Sequence, residues 1–384
     1  MRTLRQAIAL EPNLIGPLGR FLSVEYDKCF NCADYFSSAK HNSTNIENKY
    51  DLQVDEIPFV AAFNEVLVLP DGGIVTDTGT VIYEDILAAP LMHVANAVRV
   101  ICTDSIRKAI AYSGNPIRRL LLHMPRMERH IAGRALLFGG NSNFSHLLND
   151  FLSKVAAYRQ RESVDYVILS NDCHAAAAEF LVKLGFPAGT LIRQRENEVL
   201  RVDHLVVPSL AHRFPDLPVE HVKWLRTQFS ARCSAGSSRR RLAISRRGAL
   251  GRNVENTAEL ECVFADYGIE EVGFAGRPVD EQLEILASAE LIIGAAGGGS
   301  AGFFFVPTDC LIVELRFPYF QAFAEQYGKV LTAIGYRYHL LECAWTPLQS
   351  LTGADGNLHV PVDRLRSVLT EWLGARSGAE VDRS

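Results

Sequence analysis

Residues 135–150 read ALLFGGNSNFSHLLND, an apolar run that ends on two glycines and reopens as a helix. Ala135 to Phe138 has the length and composition of a buried strand, and Gly139-Gly140 breaks it. Ser142 and Asn143 suit the cap of the next helix, because their side-chain oxygens can accept from its first unsatisfied N–H groups. Phe144, Leu147, Leu148, Phe151, Leu152 and Val155 then recur at helical spacing and form a core stripe. A strand, a glycine turn and an amphipathic helix make half of a βαβ unit, so this stretch predicts an α/β fold with a parallel sheet.

The alternation extends in both directions. Leu120 to His123 reads as a strand upstream, and Tyr166 to Leu169 and Leu205 to Val207 follow downstream, with helices over 144–159 and 173–184. His212 to Pro218 is punctuated by prolines and suits a linker. Beyond it the pattern restarts: strands at Leu242 to Ser245, Glu271 to Phe274, Leu291 to Gly294 and Leu311 to Leu315, helices near 257–267 and 280–289. A chain of 384 residues is long enough for two such cores. Before them, Val66 to Leu69, Gly73 to Thr76 and Thr80 to Tyr83 predict a β-meander. The expected division is an N-terminal extension with the meander over 1–95 and Rossmann-like domains over 96–215 and 216–384, with ligands at the carboxyl ends of the strands.

Composition narrows the partners. The share of 48% hydrophobic and 22% charged residues is that of a folded protein. A net charge of -5 argues against nucleic acid, whose phosphates need a broad basic field. The start meets Glu11 before any long apolar run and does not read as a secretory signal, so a cytoplasmic location is expected. Leu291 to Val306 is too short and too rich in glycine for a spanning helix, which predicts no transmembrane segment and leaves peripheral membrane association open. Eight cysteines without a framework fit a reducing compartment. Cys29 and Cys32 form one CxxC with no second ligand pair, so no metal and no cofactor are expected.

Three constellations carry chemistry. His146 and Asp150 stand four apart, on the helix face opposite the core stripe, where a carboxylate can hold the imidazole's tautomer for proton abstraction; the alternative is a solvated surface pair. Arg246 and Arg247 leave a strand end and Arg252 follows, guanidinium forks suited to a diphosphate, or else a solvated basic loop. Gly297, Gly298, Gly299 and Ser300 open a turn whose N–H groups can take an anion. With Gly302 the run also matches the G-x-G-x-x-G of dinucleotide oxidoreductases, although little chain is left for the usual crossover. Glu314, at the end of the next strand, could hold a ribose.

Taken in order, these segments resemble glycosyltransferase family 61. Asn143-Phe144-Ser145-His146 with Asp150 is similar to the family's Asn-aromatic-x-His-x-x-x-Asp helix start, and Ile244-Ser245-Arg246-Arg247 with Arg252 and Asn256 to its Ser-Arg-x and Arg-x-x-x-Asn element. Glu281-Gln282 corresponds to the Glu-Gln pair before the strand Ala289 to Gly294, and Ile312-Val313-Glu314-Leu315 closes the pattern. The chain departs from it at Ala296, where the family usually has histidine, and near Gly302, where it has asparagine.

The resemblance implies a GT-B fold with an acceptor domain followed by a donor domain. It implies inverting transfer of a sugar from a nucleotide-sugar donor to a glycan or other hydroxyl acceptor, as in polysaccharide biosynthesis. His146 and Asp150 are then the catalytic pair. Asn143, Arg246, Arg247, Arg252, Gln282, Gly297, Gly298, Gly299, Ser300 and Glu314 are the donor-side candidates. The missing Asp-x-Asp in either half implies that no metal is needed. Ala296 keeps a non-catalytic nucleotide-sugar or glycan binding protein as the alternative.

Overall fold

The computed structural model describes residues 2–3, 60–70, 72–75, 81–83, 127–158, 163–196, 198–208, 217–229, 239–247, 253–316, 321–347 and 356–381. The expected strand at Leu120 to His123, Cys29, Cys32 and Arg252 lie outside them. The chain forms two compact units, the first holding the described residues through 208 and the second those from 217 onward. Both are α/β with parallel strands. No helix among the described residues is long and apolar enough to cross a membrane.

The first unit is built on one sheet. Its strands are β1 (Arg2–Thr3), β2 (Val60–Val68), β3 (Ile74–Val75), β4 (Val81–Tyr83), β5 (Met127–Gly139), β6 (Tyr166–Leu169), β7 (Leu191–Arg193) and β8 (Glu198–Pro208), in the order β1-β4-β3-β2-β8-β5-β6-β7. The neighbours β8, β5, β6 and β7 are parallel. The meander β2-β3-β4 is antiparallel, and β2 pairs with β8, so meander and parallel strands share one sheet. Residues of β2, β5 and β8, among them Phe63, Val66, Ala135, Leu137, Val202 and Leu205, pack into one core cluster.

The chain between β5 and β6 is helical from Phe144 to Tyr158 but not uniformly so. Helix α1 (Phe144–His146) passes into a π-helical segment (Leu147–Phe151) and then α2 (Leu152–Tyr158). Helix α3 (Ala177–Lys183) leads from β6 towards β7. The turn after β5 requires glycine at Gly140: its φ is +136°, and a Cβ there would stand 2.3 Å from Cys173 Sγ and 2.9 Å from Cys173 Cα.

The second unit opens with α4 (Val219–Phe229) and alternates β9 (Arg240–Ile244), α5 (Thr257–Tyr267), β10 (Ile269–Val272), α6 (Val279–Ala287) and β11 (Ala289–Ala295). A 3₁₀ helix (Gly298–Phe305), β12 (Leu311–Arg316), α7 (Gln321–Ile334) and β13 (Arg337–Glu342) follow. A small antiparallel pair, β14 (Ala344–Pro347) with β15 (Gly356–His359), precedes α8 (Val362–Val381). The main sheet is all parallel, in the order β10-β9-β11-β12-β13. Counted from β9 this is the doubly wound order 2-1-3-4-5, whose direction reverses between β9 and β11.

One face of that sheet, with Ala243, Ile293, Ala295, Val313 and Leu315, packs in a cluster with Leu260 and Val263 of α5 and Leu365, Leu369 and Trp372 of α8. Strand alternation turns Gly294, Glu314 and Arg316 to the other face, and a Cβ at Gly294 would meet the Phe303 ring at 3.0 Å. On that side Phe304 stacks on Tyr327 at 5.4 Å and Phe305 meets Phe229 edge-on at 6.2 Å.

Candidate functional site

In the first unit the carboxyl end of β5 runs through Gly139-Gly140 to the cap of α1. Asn143 caps it through Oδ1, which accepts from Ser145 N at 2.8 Å. The helix turns His146 and Asp150 together, with Nδ1 2.6 Å from Oδ2. The pair does not stand on a solvated face, as the amphipathic reading expected: the Asp150 side chain is 2% exposed and that of His146 17%. Every residue from Leu147 to Val155 is buried, polar ones included.

Two physical causes correct that expectation. The π segment, which holds Asp150, inserts a wider turn and rotates the residues away from the 3.6 period. Polar side chains of the segment also bond within the helix or against β5 in place of water. Asn149 donates to Ser145 Oγ at 3.0 Å, Ser153 Oγ donates to the Asp150 carbonyl, and the fully buried Lys154 donates to the Phe138 carbonyl at 2.9 Å. With Asp150 ionised, His146 donates from Nδ1, which leaves Nε2 as the ring's basic nitrogen.

Sequence reasoning missed His174, although it lies in the turn just after β6. Its ring stands 5.3 Å from that of Phe144, and its backbone N–H donates to the Asn141 carbonyl at 2.9 Å. Burial, and then the charge of Arg193, hold its pKa below the ordinary imidazole value. Nδ1 accepts from Ala176 N at 3.1 Å, so a neutral His174 presents Nε2–H as a donor.

In the second unit a pocket of about 200 Å³ lies at the carboxyl ends of β9 and β11, where the strand order reverses. Its walls come from Ile244 to Arg247 after β9, Ile293 to Ala295 of β11, Leu315 of β12 and the first turns of α5. Arg246 and Arg247 therefore both meet it. Arg247 is already committed: its guanidinium contacts Glu271 at 2.9 and 3.0 Å and Glu261 at 2.7 Å, and these carboxylates, Glu271 first, push its pKa up. Ser245 donates to the same Glu271 at 2.6 Å.

Other donor-side candidates fall elsewhere. Gln282, on α6, donates to the Arg277 carbonyl at 2.8 Å. Asn256 ties the start of α5 to Val360 by two 2.9 Å bonds. Gly297 adopts φ 152° and precedes the 3₁₀ helix, in which Ser300 N donates back to the Gly297 carbonyl at 3.0 Å and Gly297 N to Ser300 Oγ at 3.2 Å. Glu314 is buried rather than poised at the pocket, and accepts from Tyr338 Oη and from Ser300. Burial pushes its pKa up. Ala296, at the place of the family's histidine, is buried and donates its N–H to the Leu315 carbonyl at 2.8 Å.

The dinucleotide reading of the glycine run is weakened by topology. In that fold the glycine fingerprint occupies the first strand-to-helix turn, whereas here the run follows β11, the third strand of its sheet. Among the described residues no three His, Cys, Asp or Glu side chains converge as a metal site.

No curated protein matches the chain. The model of the family Glycosyltransferase 61 matches residues 144–313, from the first residue of α1 into β12. That span begins at the helix of the His146–Asp150 pair, takes in most of the β9–β11 pocket and ends one residue short of Glu314, and over it the chain is similar to glycosyltransferase family 61.

Proposed function

We propose that the chain is an inverting GT-B glycosyltransferase that moves a hexose or pentose from a nucleotide-sugar to a hydroxyl of a growing polysaccharide. The first unit takes the acceptor and the second the donor. The observation that carries this reading is the His146–Asp150 contact of 2.6 Å, with the carboxylate buried and the imidazole partly exposed. That asymmetry supports the following roles. His146 accepts the proton of the attacking hydroxyl, and Asp150 orients the ring and stabilises the imidazolium as it forms. Attack in line expels the nucleoside diphosphate from the opposite side of the anomeric carbon.

The leaving group carries negative charge that something must offset. Arg246 at the pocket supplies a fixed cation, and the first turn of the 3₁₀ helix at Gly298 and Gly299 supplies backbone donors. The apolar walls at Ile244, Phe264, Ile293 and Leu315 suit the faces of a nucleobase. These groups complete the reaction without a bound metal.

A binding-only reading draws on Ala296 alone. The test is a melting-shift panel of nucleotide-sugars with NAD and NADP as controls, followed by an acceptor-transfer assay in EDTA with whichever donor binds. Stabilisation by a nucleotide-sugar together with transfer in EDTA is the expected result. Binding without transfer would favour the binding-only reading. Stabilisation by NAD or NADP alone would overturn the donor site, and transfer that needs manganese would overturn the arginine account of the leaving group.

A further inference from the structure

Arg316 is the last residue of β12 and is 3% exposed. It shares a sheet face with Glu314, opposite the Val313 and Leu315 of the α5/α8 core. Among the described residues its guanidinium makes no hydrogen bond or ion pair, and the buried Nε has no acceptor. A guanidinium stays charged at any working pH. The fold has therefore largely buried a positive charge with no hydrogen bond or ion pair to hold it, a costly arrangement that structures retain where something else meets the charge.

Glu314 acts on it through space but makes no ion pair with it. Its carboxylate is engaged by Tyr338 Oη and Ser300, and burial drives it towards the neutral form. The Ser300 contact also ties this face to the glycine-rich turn. In the neighbouring strands Glu314 is paired with Gly294, which has no side chain to reach across, and with Leu340, while Glu342, the residue paired with Arg316 itself, makes no ion pair with it. The unmatched cation thus stands at the carboxyl edge of the sheet, the edge at which doubly wound folds bind their ligands.

We infer that Arg316 is an anion ligand of the second unit, taking an oxygen of the donor's phosphate or carboxylate on the sheet face that carries the glycine-rich turn. This inference rests on the donor reading above. A planar fork suits either oxyanion: the diphosphate of the nucleotide, or the carboxylate of an acidic sugar attached to it.

The full chain and its Arg316→Met and Arg316→Lys variants are titrated calorimetrically with inorganic pyrophosphate, UDP, GDP, UDP-glucose and UDP-glucuronate, and the ligand-free proteins are melted. Arg316→Met should raise the Kd of pyrophosphate and of the nucleoside diphosphate that binds by about 10- to 100-fold. Its ligand-free melting temperature should stay level or rise, since removing an unpaired buried charge removes its desolvation cost. If only the preference for UDP-glucuronate over UDP-glucose disappears, the carboxylate is the partner. Should Arg316→Met fail to fold, Arg316→Lys carries the test: weaker binding at an unchanged melting temperature supports the inference, and wild-type affinity overturns it. Wild-type affinities in a folded Arg316→Met, with or without a lower melting temperature, make Arg316 structural and overturn it as well. A wild type that binds none of the five probes refutes the donor reading and this inference with it, whereas a wild type that binds while Arg316→Met binds equally refutes the inference alone.

Discussion

Replacing Asp150 with asparagine removes one charge and almost no volume, so its effects on stability and on turnover can be set side by side. The side chain is 2% exposed, and its Oδ2 lies 2.6 Å from His146 Nδ1. A hydrogen bond to a charged group contributes about 1.5–3 kcal/mol net and a neutral one about 0.5–1.5. Asparagine can keep the neutral bond, so the variant should lose roughly 1–1.5 kcal/mol. For a unit of this size that lowers the melting temperature by about 2–6 °C. Turnover should suffer more. A neutral amide cannot stabilise the imidazolium that forms when His146 takes the acceptor's proton, and loss of general-base function typically costs about 10² to 10⁴ in rate, or roughly 2.7–5.5 kcal/mol of barrier. Calorimetric melting and acceptor-dependent transfer at saturating donor measure the two quantities on one preparation, with donor Kd as the control. A fall in kcat of less than about tenfold would refute the base assignment. A drop in melting temperature well beyond 6 °C, with activity lost in proportion, would make the pair a structural element of the helix.

Gly140→Ala should destabilise the first unit by at least about 1–3 kcal/mol, because φ is +136° and the new Cβ meets Cys173 backbone as well as its sulfur; a wild-type urea midpoint would contradict this. Glu314 binds its proton more tightly in the native protein than in the unfolded chain. Its contribution is therefore complete below the ordinary glutamate pKa of about 4.3 and is lost as pH rises through the raised native value. Glu314→Gln should narrow the difference between urea midpoints at pH 4.5 and pH 8, and an unchanged difference would oppose the assignment. Arg246→Ala should weaken nucleoside diphosphate binding by about 1.5–3 kcal/mol. Arg247→Ala should cost less than about tenfold in affinity, since Glu261 and Glu271 already hold that guanidinium; a larger loss would argue against that role.

Much of the local structure was legible because it rests on periodicities that the sequence displays. The run from Ala135 through Gly139-Gly140 reads directly as a strand and its break, and α5 occupies Thr257–Tyr267 where the apolar spacing placed it. Strand order was not legible, because apolar runs say where strands are and not which ones pair. The sheet continuity of β2 with β8, and the reversal between β9 and β11 that makes the pocket, appear only in the fold. The His146–Asp150 contact followed from the i, i+4 spacing, but the burial of Asp150 did not. A 3.6-residue wheel cannot anticipate a π segment, and it treats Asn149, Ser153 and Lys154 as solvent-facing although each bonds to a nearby residue or to β5. Arg247 carries the same lesson for charge. In sequence it follows another arginine, while the carboxylates that hold it come from α5 and β10.

The central claim, that this chain transfers sugar with His146 as its base, is tested most directly by the release of nucleoside diphosphate from a bound nucleotide-sugar, with and without acceptor, in wild type and in His146→Gln. The account predicts acceptor-dependent release by the wild type and a rate lower by about 10² or more in the variant, with donor affinity retained. Equal rates in the two proteins, or a wild type that binds the donor and shows no acceptor-dependent release, would contradict it.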